Sequence, residues 1–437
     1  MRRLAGSVVV ALTVVALVAA CGSDDDASSS ATSTTSTDGA ATPVTVPDAF
    51  TPVTVEVLGA PTFPFPGTDG RYHVSYDLQL VNTSLRVPAT IERMDVVDAE
   101  DVDDVLVSIE GDQLVDPDCD VGDCNRLRML PNAPADDAVL APQEGRVLFV
   151  DIGFDSLDDV PDQVLHHLSL QASDSPSATD PVAVDYLATP YEVDAGEPQV
   201  VGPPVAGDNW VATNGCCMVG FAHRSSPNSV NGRIVNGQHF AIDWKRMNDD
   251  GAFFAGDPDD NESYVDYGAD ILAVADAEVV TVLDGMEANR PGTLPAADPE
   301  LAQEISLETV DGNHIVLDLG NGTYAFYAHL QAGTILVEEG DTVERGEKIA
   351  ELGNTGNANA SHLHFHIMDG PSVLGSNGVP YVIDGFDYAG QVGVQQFLDS
   401  DDYLAGTFGQ GRLGEPEART DQLPMVLDIV DFPDANG

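Results

Sequence analysis

Short stretches in which apolar and polar residues alternate run through much of the chain. From Tyr72 to Leu80 every second residue is aliphatic or aromatic, and the period of two returns over 148–154 and 166–172. Successive side chains of a strand point to opposite faces, so this period predicts strands with one face in a core. Turn residues separate the stretches and no helical period interrupts them, which predicts an immunoglobulin-like, antiparallel β-sandwich over residues 46–195.

The second half of the chain is also rich in predicted strands. Its strand-like apolar runs cover residues 271–275, 279–283, 314–319 and 323–330. The stretch 196–208 is rich in Pro and Gly, which is typical of a linker between domains. The pattern therefore predicts a mainly β protein in which a second, all-β domain occupies residues 209–437.

The first 45 residues differ in composition from the rest. Arg2 and Arg3 precede an apolar run that ends in Val-Ala-Ala before Cys21. Small residues before such a Cys resemble the lipobox of bacterial lipoproteins, which implies a signal peptide over 1–21 and lipid on the Cys21 sulfur. An ordinary signal peptide with an incidental Cys is the alternative. Residues 22–45 are mainly Ser, Thr, Ala and Asp, a composition that predicts a disordered tether. Lipid and tether together are expected to leave the protein anchored to the cell membrane and facing the cell wall.

Acidic residues dominate the charge of the chain. Lys and Arg total 17 and Asp and Glu total 73, which gives a formal net charge of −56. This charge argues against binding nucleic acid, and against binding an anionic membrane surface through a basic patch. Contact with a membrane is therefore expected only through lipid on Cys21.

Four further cysteines are expected to lie in an oxidising compartment. Cys119 and Cys124 are five positions apart and can close a small loop. Cys216 and Cys217 are adjacent, and for them a mutual disulfide, cross-pairing and a ligand role all stay open.

Histidines of the second domain form a candidate metal site. His239 and Asp243 are four positions apart, which places them on one face if the chain is extended. In residues 362–366 three histidines alternate with apolar residues, so they share one strand face while the other face enters a core. His329 ends the apolar run before it. A catalytic zinc takes three ligands from His and carboxylate and keeps a fourth position for water, whose pKa it lowers to about 7.

The order of these residues resembles the lysostaphin-type (LytM-like) zinc endopeptidases of bacterial cell walls. The resemblance covers about residues 209–395 and includes Tyr-Ala-His-Leu at 327–330, Gly-Asp-Thr-Val at 340–343 and Gly-Asn-Thr-Gly at 353–356. It implies a LytM-like fold with one Zn2+ per chain. The implied site consists of the metal ligands His239, Asp243 and His364, the general base His362, and His329, which polarises and orients.

Two positions depart from the family pattern. Ser361 and His366 stand where the family usually has Pro and Glu, and His366 is expected to support a metal ligand or to contact the core. Upstream, His223 has no role implied by the resemblance. In some family members an upstream segment latches the metal, for which Asn214 and the Cys216-Cys217 pair are candidates, and a disulfide-pinned loop is the alternative.

The resemblance implies hydrolysis of peptide cross-links in peptidoglycan. A non-catalytic module that binds the wall or activates another hydrolase is one alternative, and a purely structural zinc closed by a fourth ligand such as His366 is another. The sequence leaves the cleaved bond open between a glycine bridge and a D-amino-acid cross-link. It predicts a spacer or protein-contact role for the sandwich without choosing between them.

Overall fold

A computed structural model describes residues 46–433 apart from 47, 60, 61, 189, 304 and 402. The predicted signal peptide, Cys21 and the tether of residues 22–45 lie outside the described residues. Strands dominate the described part, so the prediction of a mainly β protein is confirmed. None of its helices is long and apolar enough to cross a membrane.

The first folded region is a sandwich of two antiparallel sheets. Its strands are β1 (Val53–Leu58), β2 (Phe65–Pro66), β3 (Tyr72–Asn82), β4 (Ala89–Asp98), β5 (Val105–Glu110), β6 (Leu127–Met129), β7 (Val139–Leu140), β8 (Gly145–Phe154), β9 (Gln163–Ala172), β10 (Val182–Leu187) and β11 (Tyr191–Glu192). One sheet has the order β1-β3-β8-β6 with β2 beside β3, and the other has β10-β9-β4-β5 with β7 and β11 at its sides. Apolar side chains of both sheets share one core.

Strand β3 shows how the alternating pattern is used. Val74, Tyr76, Leu78 and Leu80 enter the sandwich core, as the period of two predicts. The polar side chains between them are buried as well: His73, Ser75 and Asp77 are each at most 5 % exposed. Ser75 and Asp77 contact His239 and Arg224 of the second folded region, while His73 lies between Asp69 and Asp151 of the sandwich.

The second region is built around a ten-stranded sheet. Its strands are β12 (Gln199–Val201), β13 (Gly207–Thr213), β14 (Asn228–Val230), β15 (Arg233–Val235), β16 (Ile242–Arg246), β17 (Asp270–Leu272), β18 (Ala277–Leu283), β19 (Asn313–Asp318), β20 (Tyr324–Leu330), β21 (Thr342–Val343), β22 (Lys348–Glu351), β23 (Leu363–Met368), β24 (Tyr381–Ile383), β25 (Phe386–Gln391), β26 (Arg412–Arg419) and β27 (Asp428–Phe432). The sheet order is β21-β18-β19-β20-β23-β16-β13-β27-β25-β26. The remaining strands form the two-stranded pairs β12-β24, β14-β15 and β17-β22.

Helices are few and short in the described part. The α-helix α1 (Val394–Leu398) follows β25. The short 3-10 helices are Gly111–Gln113, Leu157–Asp159, Asn261–Ser263, Pro295–Ala297, Leu301–Gln303 and Gly409–Gly411.

The strand register of the large sheet brings distant histidines together. On β16 and β23, Asp243 lies directly opposite His364. On β20 and β23, His364 lies opposite Ala328, which immediately precedes His329. The other face of β23 sends Leu363, Phe365 and Ile367 into the main core of the region. The apolar face thus anchors the strand that carries the histidines.

The stretch predicted as a linker is folded against the second region. Its strand β12 pairs in parallel with β24, with Val200 opposite Val382. The Gly202 N–H also donates to the Val274 carbonyl at 2.8 Å.

Both cysteine pairs that the sequence left open form disulfides between near neighbours, Cys119–Cys124 and Cys216–Cys217.

Candidate metal centre

Asp243 lies at the centre of a cluster of imidazoles. Its Oδ1 is 3.0 Å from His364 Nδ1, 3.3 Å from His223 Nε2 and 3.5 Å from His362 Nε2. Its Oδ2 accepts a 2.7 Å hydrogen bond from Asn214 Nδ2. One ligand atom each from His223, Asp243 and His364 lie within 4.8 Å of one another, and all three residues are buried. Two imidazoles and a carboxylate are a donor set that suits catalytic zinc.

His239 is not part of this cluster. Its Nε2 lies 2.8 Å from the Oγ of Ser75 on β3. The expectation that His239 shares a face with Asp243 required an extended chain between them, but residues 237–240 form a turn and β16 begins only at Ile242. The structure therefore places His223, and not His239, beside Asp243. One feature of the sequence could have indicated this, since His223 is the single histidine between His167 and His239.

Backbone carbonyls fix the rings of three histidines in the cluster. A carbonyl oxygen only accepts, so a neutral ring carries its proton on the Nδ1 that faces the carbonyl and presents the Nε2 lone pair to the cluster. Such a second bond commonly orients metal-binding histidines. The Nδ1–O distances are 2.9 Å for His223 and Ala241, 2.7 Å for His329 and Thr355, and 2.8 Å for His362 and Ala360.

His329 and His362 flank the three candidate ligands. Their ring centroids are 4.6 Å apart, and the ring of His329 is 5.9 Å from that of His364. His329 has φ = +64°, a conformation that non-glycine residues adopt rarely and that concentrates at functional sites. The structure thus brings four of the five predicted residues together, and the catalytic roles of His329 and His362 stay predictions.

Burial and charge set the protonation of the cluster. Burial opposes the ionisation of Asp243, but neighbouring His223 and His362 outweigh it and hold the pKa of Asp243 well below its ordinary value. Burial lowers the pKa of His362 to about 4, and it also lowers the pKa of His364 and, strongly, that of His329. These three rings are therefore neutral near pH 7, the form that a metal or a proton requires.

His223 titrates in the opposite direction. Burial would lower its pKa, but the charge and hydrogen bond of Asp243 outweigh burial and raise it. A proton on His223 and a metal ion thus compete for the same nitrogen beside Asp243.

The remaining candidates surround the cluster. His366 Nδ1 lies 3.0 Å from His364 Nε2, so His366 contacts the ring of a candidate ligand on the side away from Asp243. Cys216 and Cys217 are bonded to each other, while Asn214 contacts the Asp243 carboxylate.

A cleft of about 310 Å³ opens beside Asp243 and His362. Lys245, which follows Asp243 on the same face of β16, lines it as well. The segment around α1 also lines the cleft, through Phe397 and Leu404. The cleft thus reaches Asp243 and one imidazole of the cluster, that of His362.

Residues 264–375 match the family described as peptidase family M23. These residues form an M23 peptidase domain. The matched range contains His329, His362 and His364, and it begins after Asp243 on β16. The residues that complete the cluster around Asp243 therefore lie upstream of the matched M23 range.

Two curated relatives are similar to this chain over a short stretch. They are the peptidoglycan DD-endopeptidases ShyA and ShyB of Vibrio cholerae serotype O1, each 40 % identical over 57 residues. The stretch covers 13 % of this chain and 13 % of each relative.

Solved structures of M23 proteins are also similar in part. A mutant catalytic domain of the prophage-encoded M23 protein EnpA from Enterococcus faecalis is 16 % identical, covers 43 % of this chain and 95 % of its own, and has a TM-score of 0.23. The catalytic domain of lysostaphin from Staphylococcus simulans is 23 % identical, covers 35 % of this chain and 80 % of its own, and has a TM-score of 0.20.

Proposed function

We propose that this protein is a zinc metalloendopeptidase that hydrolyses peptide bonds in peptidoglycan cross-links at the cell envelope. The observation that carries the proposal is the buried convergence of His223 and His364 on Asp243, with His329 and His362 alongside. The M23 domain supports peptidase chemistry. The stretch shared with two peptidoglycan DD-endopeptidases supports the substrate class.

The donor atoms fit one Zn2+ per chain. His223 Nε2, His364 Nδ1 and a carboxylate oxygen of Asp243 would hold it, and Asn214 would steady the second carboxylate oxygen. Three protein ligands leave a position open for solvent, as in catalytic and not structural zinc sites. When bound, zinc supplies Lewis-acid polarisation and lowers the pKa of water.

His362 is the proposed general base. Its Nδ1 donates to the Ala360 carbonyl and burial keeps its pKa at about 4, so Nε2 is free to accept a proton from the attacking water. The same nitrogen then returns the proton to the leaving amine of the cleaved peptide bond. Positioned acid–base groups of this kind contribute about 10²–10⁴ in rate.

His329 is proposed to orient the attacking water. The Thr355 carbonyl holds its Nδ1 proton, so the neutral ring offers an acceptor at Nε2 and no donor. An acceptor can align a water hydrogen, whereas polarising a carbonyl requires a donor. The orienting part of the role expected from sequence is therefore the better supported one.

The proposed location is the outer face of a membrane, through lipid on Cys21. The support is the sequence before that residue. Replacement by Cys21→Ser is expected to abolish labelling of the protein with a fatty-acid analogue in cells, and labelling that persists would refute the anchor.

The direct test of the function uses purified protein and peptidoglycan. We expect new amine ends in the presence of zinc, their loss with a chelator, and their recovery when zinc is restored. Mass spectrometry of defined muropeptide products identifies the bond. Zinc-loaded protein that binds peptidoglycan but releases no amine would favour the non-catalytic module instead.

A further inference from the structure

We infer that the β-sandwich completes the metal centre, because its Asp77 is a positioning residue that holds His223 in place through Arg224. This inference rests on the proposed function, since it treats His223 as a metal ligand. We call residues 216–226 the His223 loop. The loop belongs to the second region, yet several of its contacts are with the sandwich.

Arg224 is the anchor of the His223 loop. Its guanidinium is fully buried and donates to Asp77 Oδ1 at 2.5 Å and to the Tyr76 carbonyl at 3.2 Å. Its Cζ lies 4.4 Å from the ring centroid of Phe149 on β8. All three partners belong to the sandwich. Because Arg224 directly follows His223 in the chain, these contacts fix the backbone that carries the imidazole.

Asp77 also holds the second region at another point. Its Oδ2 accepts a 2.9 Å hydrogen bond from Asn236 Nδ2. Ser226 Oγ lies between the two sites, 2.7 Å from the His223 carbonyl and 3.3 Å from Asn236 Oδ1. A single buried carboxylate of β3 thus binds the second region at Arg224, next to His223, and again at Asn236.

The sandwich loop closed by the Cys119–Cys124 disulfide contacts the beginning of the His223 loop. The Gly122 N–H donates to the Val219 carbonyl at 3.0 Å, and Val219 packs with Val147 and Phe149 of β8. Gly220 has φ = +97°, and a Cβ there would lie 2.2 Å from the Asp120 carbonyl oxygen. The approach of the two loops is therefore close enough to require glycine.

These contacts compensate for what the loop lacks. Residues 216–226 contain only isolated bridges and turns, so no strand ladder holds His223 beside Asp243. A ligand on an unsupported loop would lose conformational freedom on metal binding, which weakens affinity. The sandwich orders the loop beforehand, which gives it a role beyond that of a spacer.

The experiment measures metal affinity in the whole protein. Co2+ is titrated into metal-free protein in competition with a chromophoric chelator, and its visible absorption bands report the ligand environment. Asp77→Asn keeps the shape of the side chain but removes the charge that pairs with Arg224. We expect Co2+ affinity to fall by about 10- to 100-fold, the range for residues that orient metal ligands. Arg224→Lys keeps the charge but loses the planar fork of the guanidinium, so its Co2+ affinity should fall less than that of Asp77→Asn.

A matched control weakens the same interface at a contact that involves neither Asp77 nor Arg224. Thr68 of the sandwich hydrogen-bonds Asp428 on β27, and Thr68→Val removes that contact. Its Co2+ affinity is expected to stay within about twofold of the native value. Equal losses in Asp77→Asn and Thr68→Val would mean that general loosening, and not positioning of His223, reduces affinity, and would overturn the inference.

A milder variant covers the case in which Asp77→Asn does not fold. Asn236→Ala removes one hydrogen bond to Asp77 and leaves the pair with Arg224 intact. A smaller fall in Co2+ affinity supports the inference, and native affinity in both folded Asn236→Ala and folded Arg224→Lys overturns it. If the native protein itself binds no Co2+, the proposed function fails. If the native protein binds Co2+ and folded Asp77→Asn binds it equally well, only the inference fails.

Discussion

Strands β3 and β23 share the same alternating sequence pattern, but their polar faces have different partners. Each alternates apolar residues that enter a core with polar residues that are buried on the other face. On β3 the polar face meets charged partners: Asp77 pairs with Arg224, and His73 lies between Asp69 and Asp151. That face forms an interface between the two folded regions.

On β23 the polar face meets other imidazoles around one carboxylate. His364 contacts Asp243 and His366, and the rings of His223 and His329 lie 4.7 and 5.9 Å from its own. A histidine between carboxylates holds a proton, whereas His362 and His364, which are buried and share Asp243 with other imidazoles, stay neutral and leave lone pairs for a metal. The neighbours, and not the alternating pattern, decide whether a polar strand face becomes an interface or a site.

The largest expected effect distinguishes His223 from His239 as the metal ligand that accompanies Asp243. His223→Ala removes a ring beside Asp243, so bound zinc should fall from about one per chain to near zero after dialysis, with loss of peptidase activity. His239→Ala removes a ring that contacts Ser75 of β3, so bound zinc should stay near one per chain. Elemental analysis of the two purified variants makes the comparison. Zinc retained in His223→Ala but lost in His239→Ala would restore the ligand set expected from sequence.

The next effect separates chemistry from metal binding. His362→Ala should lower kcat by about 10²–10⁴ because a general base is removed, while bound zinc stays near one per chain. Steady-state cleavage of a defined muropeptide gives kcat and KM. His314→Ala serves as the control, since His314 is another buried histidine with an Nδ1 contact to a backbone carbonyl but has no contact with Asp243 among the described interactions. A similar fall in both variants would argue against a special role for His362.

The sequence predicted the strands of this site better than its assembly. The alternation at 362–366 and the apolar run before His329 gave the correct strands, and strand register then placed His364 opposite Asp243. The predicted position of His239 beside Asp243 is wrong because a turn interrupts the extended chain. A spacing of four residues does not reveal such a turn. His223 was missed because its position depends on Asp77, which lies 146 residues upstream on another sheet. Contacts between residues so far apart in the chain produce no local periodicity in the sequence from which they could be predicted.

A third prediction concerns the energy of the interface face. Arg224→Met leaves the Asp77 charge buried without its partner, which typically costs about 3–5 kcal/mol of stability. Arg412→Met also breaks an Arg–Asp pair, with Asp431, but Arg412 is partly exposed and the expected cost is about 1 kcal/mol or less. Urea unfolding of the native protein and both variants gives the difference. Equal costs would mean that the Asp77 pair is no more important than a surface pair.

The last effect is the pH dependence of His73 on the interface face of β3. Burial would lower the pKa of His73, but hydrogen bonds and charges of Asp151 and Asp69 outweigh it and raise the pKa from 6.5 to about 10. A folded pKa above the unfolded one stabilises fully below the unfolded value and is lost as pH rises through the folded value. The stability that native protein has over His73→Gln should therefore shrink between about pH 6.5 and pH 10. Urea midpoints across this range measure it.

His166 supplies the matched control for that prediction within the same sandwich. It is buried like His73, but its Nε2 lies 2.9 Å from the Tyr76 hydroxyl and no carboxylate hydrogen-bonds to it among the described contacts, so burial lowers its pKa to about 4. It stays neutral above the unfolded value of 6.5, and the stability difference between native protein and His166→Gln should not change from about pH 7.5 to pH 10. A flat profile for both variants would show that His73 is neutral in the folded protein. The carboxylates beside it would then not distinguish the interface face of β3 from the histidine face of β23.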